Sequence, residues 1–197
     1  MTTSDTHTPR RALPRLGVFI SGGGRTLLNI HDHIQRGTLR AEIVLVVASS
    51  ECPGAARARE RGLHVEIHAG HLTPESLDAI LAQTNPDWIV LAGYLKKLPI
   101  LPRYRGRVVN IHPALLPKFG GHGLHGLRVH KAVLNARESI SGCTVHLADD
   151  DYDTGPIILQ RTCPVLPNDT PESLAARVFE CEREAYPQAL AKLLACP

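Results

Sequence analysis

Short apolar runs alternate with stretches of helical periodicity through the first half of the chain, and this alternation limits the fold more than any other feature. Leu16-Gly17-Val18-Phe19-Ile20, Ile43 to Ala48, Val65-Glu66-Ile67, Trp88-Ile89-Val90-Leu91-Ala92 and Val108-Val109-Asn110-Ile111-His112 all read as strands. Between them, Leu27, Ile30 and Ile34 share one helical stripe, and Pro53 to Arg61 forms a short helix stopped by Gly62. Thr73-Pro74-Glu75 opens a third helix, with a hydroxyl cap, proline in the first position and an acid facing the macrodipole. Leu77, Ile80 and Leu81 form its buried face. Strands separated by helices in this way pack as a parallel sheet covered on both faces.

After His112 the pattern changes. A Gly- and His-rich stretch from Pro113 to Gly126 leads to a helix near Leu127 to Ala136. Two strands follow, Cys143 to Leu147 and Ile157 to Gln160, separated by the acidic turn Asp149 to Gly155. Thr170-Pro171-Glu172-Ser173 repeats the earlier cap before a last helix, Pro171 to Leu194, with a bend expected at Pro187. The fold class is therefore α/β: a Rossmann-like, mostly parallel central sheet with helices on both faces and a mixed C-terminal part.

At 197 residues, 43% hydrophobic and 21% charged, the chain suits one domain with a full core. The net charge of +3 comes without a Lys/Arg block interleaved with aromatics, so a nucleic-acid partner is not expected. No apolar run approaches the ~18 residues needed to span a membrane. Five cysteines, none in a C-x-x-C pair, imply neither a zinc site nor a disulfide framework. His31-Asp32-His33 and His68-Ala69-Gly70-His71 have ligand-like spacing but lack matching partners, so no metal is expected. The cysteine usage points to a reducing, cytoplasmic compartment. Met1 to Ala12 is polar, without the apolar core of a signal peptide, and residues 1–13 are expected to be a disordered lead-in.

Ser21-Gly22-Gly23-Gly24-Arg25-Thr26 lies between a strand and a helix. Leu27 stands where a dinucleotide fingerprint needs its third glycine, and no G-K-[ST] follows. The loop is either a tight turn alone or a phosphate cradle helped by Arg25 and the Thr26 hydroxyl. Further on, Asn110 and His112 lie two apart in a strand, so they reach one spot at the carboxyl edge of the sheet. An amide beside an imidazole suits stabilising an oxyanion and passing a proton. Polar residues that merely cap loops would look the same. Asp153 could orient such an imidazole, or belong to a plain acidic turn.

Taken together, Asn110-x-His112-Pro113-x-x-Leu116-Pro117 and the later Asp153-x-Gly155-Pro156-Ile157 resemble the signature of the folate-dependent formyltransferase superfamily. Ser21-Gly22-x-Gly24 and Leu91-Ala92-Gly93-Tyr94 fit as well, and the order of motifs holds from about Arg15 to Leu190. The resemblance is strongest to the short, single-domain branch that formylates glycinamide ribonucleotide in purine biosynthesis. It implies one formyltransferase domain over residues 14–197, with a phosphate-binding half at about 14–108 and a catalytic and folate half at about 109–197. It implies 10-formyltetrahydrofolate as co-substrate, glycinamide ribonucleotide as acceptor, and a monomer or homodimer.

By the same resemblance Asn110, His112 and Asp153 are catalytic. Gly23, Gly24, Arg25 and Thr26 hold the acceptor's phosphate and Glu182 its ribose. Tyr94, Leu95, Lys96, Leu98, Asp149, Asp150 and Asp151 bind the folate. The chain departs from the family at Arg25-Thr26, where a small polar pair is common, and at Lys96, where arginine is common. The glycines of Lys118 to Gly126 suggest a mobile active-site loop from which His122, His125 or the nearby His130 could reach substrate. The rival readings are a formyltetrahydrofolate hydrolase, an amino-sugar formyltransferase, and a catalytically silent nucleotide- or folate-binding module.

Overall fold

The computed structural model describes residues 13–195, so nearly all of the expected lead-in lies outside the described residues. Seven strands and five α-helices follow in the order β1 (Arg15–Ile20), α1 (Arg25–Gln35), β2 (Glu42–Ala48), α2 (Pro53–Glu60), β3 (Val65–Ile67), α3 (Pro74–Thr84), β4 (Trp88–Leu91), β5 (Val108–His112), α4 (Leu127–Asn135), β6 (Ile140–Leu147), β7 (Ile157–Pro164) and α5 (Pro171–Ala195). They form one sheet in the order β3-β2-β1-β4-β5-β6-β7. The pairs from β3 to β5 are parallel, while β6 runs antiparallel to β5 and β7 antiparallel to β6.

Each strand's period of two divides the core. Leu16, Val18 and Ile20 of β1 face α1, α2 and α5, where Leu27, Ile30, Ala55, Leu174 and Val178 are buried. Phe19, Leu45, Val47 and Ile89 face the other way, onto Leu77 and Leu81 of α3 and the aromatic ring of Tyr94. Thr73 and Ser76 form a reciprocal capping box at α3. Thr170 and Ser173 repeat it, with backbone-to-hydroxyl bonds of 3.0 and 3.2 Å. The Tyr186 hydroxyl of α5 lies 3.0 Å from the Leu91 carbonyl and 2.9 Å from that of Val109, donating into β4 and β5.

Two strand boundaries differ by several residues from the sequence reading. β6 begins at Ile140, earlier than the expected Cys143, because Ser141 and Gly142 mask a strand that β7 pairs throughout. β7 correspondingly continues past Gln160 to Pro164. α5 runs from Pro171 to Ala195 with the buried Pro187 inside it. The strand order reverses between β1 and β4, which opens a crevice at their carboxyl ends.

Candidate active site

The glycine loop after β1 closes the crevice from below. Gly24 caps α1 in the left-handed region at φ 72°, and a Cβ there would stand 2.7 Å from the Gly54 Cα. Only glycine permits both that conformation and that approach. The Gly54 N–H donates to the Gly22 carbonyl at 2.9 Å, and Arg57 donates to that of Gly23 at 2.7 Å. The Ser21 hydroxyl oxygen accepts from Ser49 at 2.8 Å and from the Leu95 N–H at 3.0 Å, tying the loop to the end of β4.

A cleft of about 440 Å³ opens above this loop. Arg25, Thr26, Phe179 and Glu182 line it together with Asn110, His112 and Asp153. Gly23 and Gly24 are not among its lining residues: Gly24 is buried against Gly54, while Gly23 is exposed with Arg57 on its carbonyl. The Arg25 guanidinium lies 3.9 Å from the centre of the Phe179 ring. Burial pushes the Glu182 carboxyl up to about 7, with the Arg25 charge opposing the rise.

A second cavity of about 70 Å³ adjoins the first. Tyr94, Lys96, Asn110, Tyr152 and Asp153 belong to both walls. Of the expected folate residues, Tyr94, Lys96, Leu98, Asp149 and Asp151 line this cavity, while the largely exposed Leu95 lines the larger cleft. Asp150 lines neither: its carboxylate turns outward to Arg105 at 3.0 Å. The Lys96 ammonium is also directed elsewhere, donating to the Gly70 carbonyl at 2.6 Å and that of Ser49 at 3.4 Å, so only its stem faces the cavity. Asp149 accepts from the Asp151 N–H at 3.2 Å and the Thr154 hydroxyl at 2.7 Å, and so folds the turn that carries Asp153.

Asp153 stands at the centre of the wall the two cavities share. Its side chain is 9% exposed and its φ is 59°, a conformation aspartate tolerates better than most residues. Oδ2 lies 3.4 Å from His112 Nδ1 and accepts the Gly121 N–H at 3.0 Å. Oδ1 lies 3.4 Å from His146 Nε2 and accepts from the Asn110 amide at 3.4 Å. Burial raises the carboxyl's proton affinity, but His146, His112 and the Gly121 N–H outweigh it and hold the group below its ordinary value.

His112 Nε2 donates to the Phe119 carbonyl at 2.8 Å. Burial lowers this imidazole's proton affinity, against the pull of Asp153 and Phe119. The 3.4 Å to Asp153 is long beside the 2.7–2.9 Å typical of a charge-assisted bond.

His146 is the member that sequence reasoning missed. It is 1% exposed and lies 3.1 Å from the Asn110 amide nitrogen, directly across the β5–β6 ladder from Asn110. The alternation Thr144-Val145-His146 within an apolar strand was the available signal, but only the antiparallel register shows which residue it meets. Of the loop histidines, His122 packs edge-on against Tyr152 at 5.5 Å, while His125 and His130 line the larger cleft. Among the described residues no group of three or more His, Cys, Asp or Glu is placed to hold a metal ion, and Asp32 pairs with Arg61 at 2.6 Å.

The formyl transferase family matches residues 14–190. The chain is 42% identical over 190 residues to the chloroplastic phosphoribosylglycinamide formyltransferase of Arabidopsis thaliana, covering 91% of this chain and 64% of that one. To the chloroplastic enzyme of the same name from Vigna unguiculata it is 43% identical, covering 87% and 58%. The chain thus spans about three fifths of the length of these curated relatives. The solved phosphoribosylglycinamide formyltransferase of Brucella melitensis superposes with a TM-score of 0.83 at 39% identity, over 94% of this chain and 98% of that one. The plant relatives overturn one expectation: they are chloroplastic, so cysteine usage does not place this chain in the cytoplasm.

Proposed function

The chain belongs to the formyl transferase family, and on that premise we propose that it moves a formyl group from 10-formyltetrahydrofolate to the amine of glycinamide ribonucleotide, a step of purine biosynthesis. One observation carries the reading: Asn110 and Asp153 line both cavities and His112 lines the larger one beside them, so donor and acceptor can approach the same group of residues from two sides.

In this reading the larger cleft takes the acceptor. Arg25, Thr26 and the free N–H groups opening α1 hold the phosphate, and Glu182 accepts from the ribose hydroxyls. The smaller cavity, widened when occupied, takes the pterin between Tyr94, Leu98 and the 149–153 turn, with Leu95 and the Lys96 stem beside it. Residues 14–108 supply most of the phosphate site and residues 109–197 the chemistry, with Tyr94 and Glu182 serving across that division.

The amine nitrogen bonds to the formyl carbon, whose oxygen takes up the electron pair. Collapse of the tetrahedral adduct expels the folate nitrogen, and the proton shed by the amine ends on it. Asn110 and the His112 Nε2–H donate to the developing oxyanion, where a preorganised donor is worth ~3 kcal/mol. Asp153 holds His112 and Asn110 in place and passes the proton through water.

The test is a deformylation assay with and without glycinamide ribonucleotide, run on the parent and on N110A, H112A and D153A. Acceptor-dependent turnover is expected, with each variant losing about a hundredfold or more in kcat and little in KM. Equal deformylation without acceptor would support a hydrolase instead.

A further inference from the structure

The larger cleft contains an imidazole that the chemistry above leaves unused. His130, the fourth residue of α4, is 3% exposed and forms part of the cleft wall. Its Nδ1 is buried without a hydrogen-bond partner among the described residues. Buried polar groups are paired in the great majority of cases, and an unpaired one carries its full desolvation penalty. A histidine kept in that condition on the wall of a cleft is explained by a partner that arrives with the ligand.

Its position says which ligand. His130 lines the larger cleft and takes no part in the smaller cavity, so it stands on the acceptor's side. It neighbours His112, whose charge, after burial, disfavours a proton on it. Its helix packs on α5, which carries Phe179 and Glu182. The ring thus belongs between the reacting end of the acceptor and the sugar end. In glycinamide ribonucleotide the group between amine and sugar is an amide, with one N–H and one carbonyl. The Nδ1 of a neutral imidazole can meet either group, as donor or as acceptor according to its tautomer.

We propose that His130 hydrogen-bonds the amide joining glycine to sugar, and that it is a specificity-determining residue of the acceptor site. The inference rests on the acceptor reading given above. A site built to pair a polar group rejects an analogue lacking it, because the site's own polar atom is then stranded. Acceptors that carry their amine directly on a sugar leave His130 unpaired and bind poorly.

The experiment measures binding of glycinamide ribonucleotide, and separately of a non-reactive folate analogue, to the full chain by calorimetry, alongside the melting temperature. His130→Phe keeps a ring and removes both nitrogens. It should weaken acceptor binding about tenfold, leave folate-analogue binding unchanged, and melt no lower than the parent, since an unpaired buried nitrogen has gone. His130→Asn, whose side-chain amide reaches about as far as Nδ1, should recover most of the acceptor affinity. Parent-like acceptor binding by H130F overturns the inference and leaves the acceptor reading standing. Should H130F melt early, H130N is set against H130L, and equal acceptor affinity in the two overturns it. A parent that binds the folate analogue but not glycinamide ribonucleotide removes the acceptor reading and this inference together.

Discussion

Glu182 shows how one residue's surroundings set the conditions under which it works. Burial holds its carboxyl up to about 7, and Arg25 across the cleft limits the rise. Cys143 and Tyr186 also face it, and burial foremost keeps the proton on each well above pH 7. The charge that changes near neutrality is therefore that of Glu182. As an acceptor of ribose hydroxyls it serves best when ionised, so the KM for the acceptor should fall as pH rises through about 7. R25A removes the opposing charge and should move that midpoint upward as well as raising KM; an unchanged midpoint in the pH–KM profile would sever the pairing. At this scale the sequence was legible where chemistry follows local spacing. Asn110 and His112 could be placed together because a strand puts alternate residues on one side. His146 could not, since its place depends on the register of a ladder formed 36 residues away. Asp150 and Lys96 were assigned by position in a loop, where side-chain direction follows no periodicity, and both turn to other partners.

α5 illustrates what an element needs beyond periodicity. The sequence showed its threonine and serine cap, yet the stronger fixture is Asp169, whose side chain is 3% exposed. It accepts two bonds from Arg177 at 2.5 and 2.9 Å, one from the Leu166 N–H at 2.8 Å and one from the Ser173 hydroxyl at 2.7 Å. These contacts, the Arg177 hydrogen bond foremost, hold the carboxyl far below its ordinary value. A depressed carboxyl contributes stability that is full above about pH 4 and is withdrawn as pH falls toward the native value. D169N should therefore cost about 2 kcal/mol at pH 7, and the gap to the parent should narrow in melts below pH 4. A gap independent of pH would assign the loss to shape alone. The alternation of strand and helix made the elements themselves readable. The start of β6 was hidden because Ser141 and Gly142 carry no strand signal, although β7 pairs with them.

At the scale of the whole molecule, the Tyr186 hydroxyl ties the last helix to the sheet. From the last helix it reaches the carbonyls of Leu91 and Val109 in the parallel part of the sheet. Y186F leaves both carbonyls without this donor and should cost about 1–3 kcal/mol, read as a lower urea midpoint with an unchanged slope. Two separated transitions would show instead that the C-terminal helix unfolds apart from the sheet. The parallel sheet was legible from the start, because apolar strands spaced by helices admit few other packings. The seating of the long helix on β4 and β5 was not, because a buried tyrosine in a sequence does not name its carbonyls.

The bond from His112 to the Phe119 carbonyl gives the resting molecule a clutch. One N–H serves one good acceptor at a time, so the imidazole cannot engage a developing negative charge until the 119–121 backbone lets go. That backbone also grips Asp153 through the Gly121 N–H, and Phe119 sits at φ 59°, where a bulky residue carries about 1–2 kcal/mol of strain. Disengagement is thus already part-loaded by the chain itself. In the reading proposed above, His112 can act on the formyl oxygen only with that backbone contact given up.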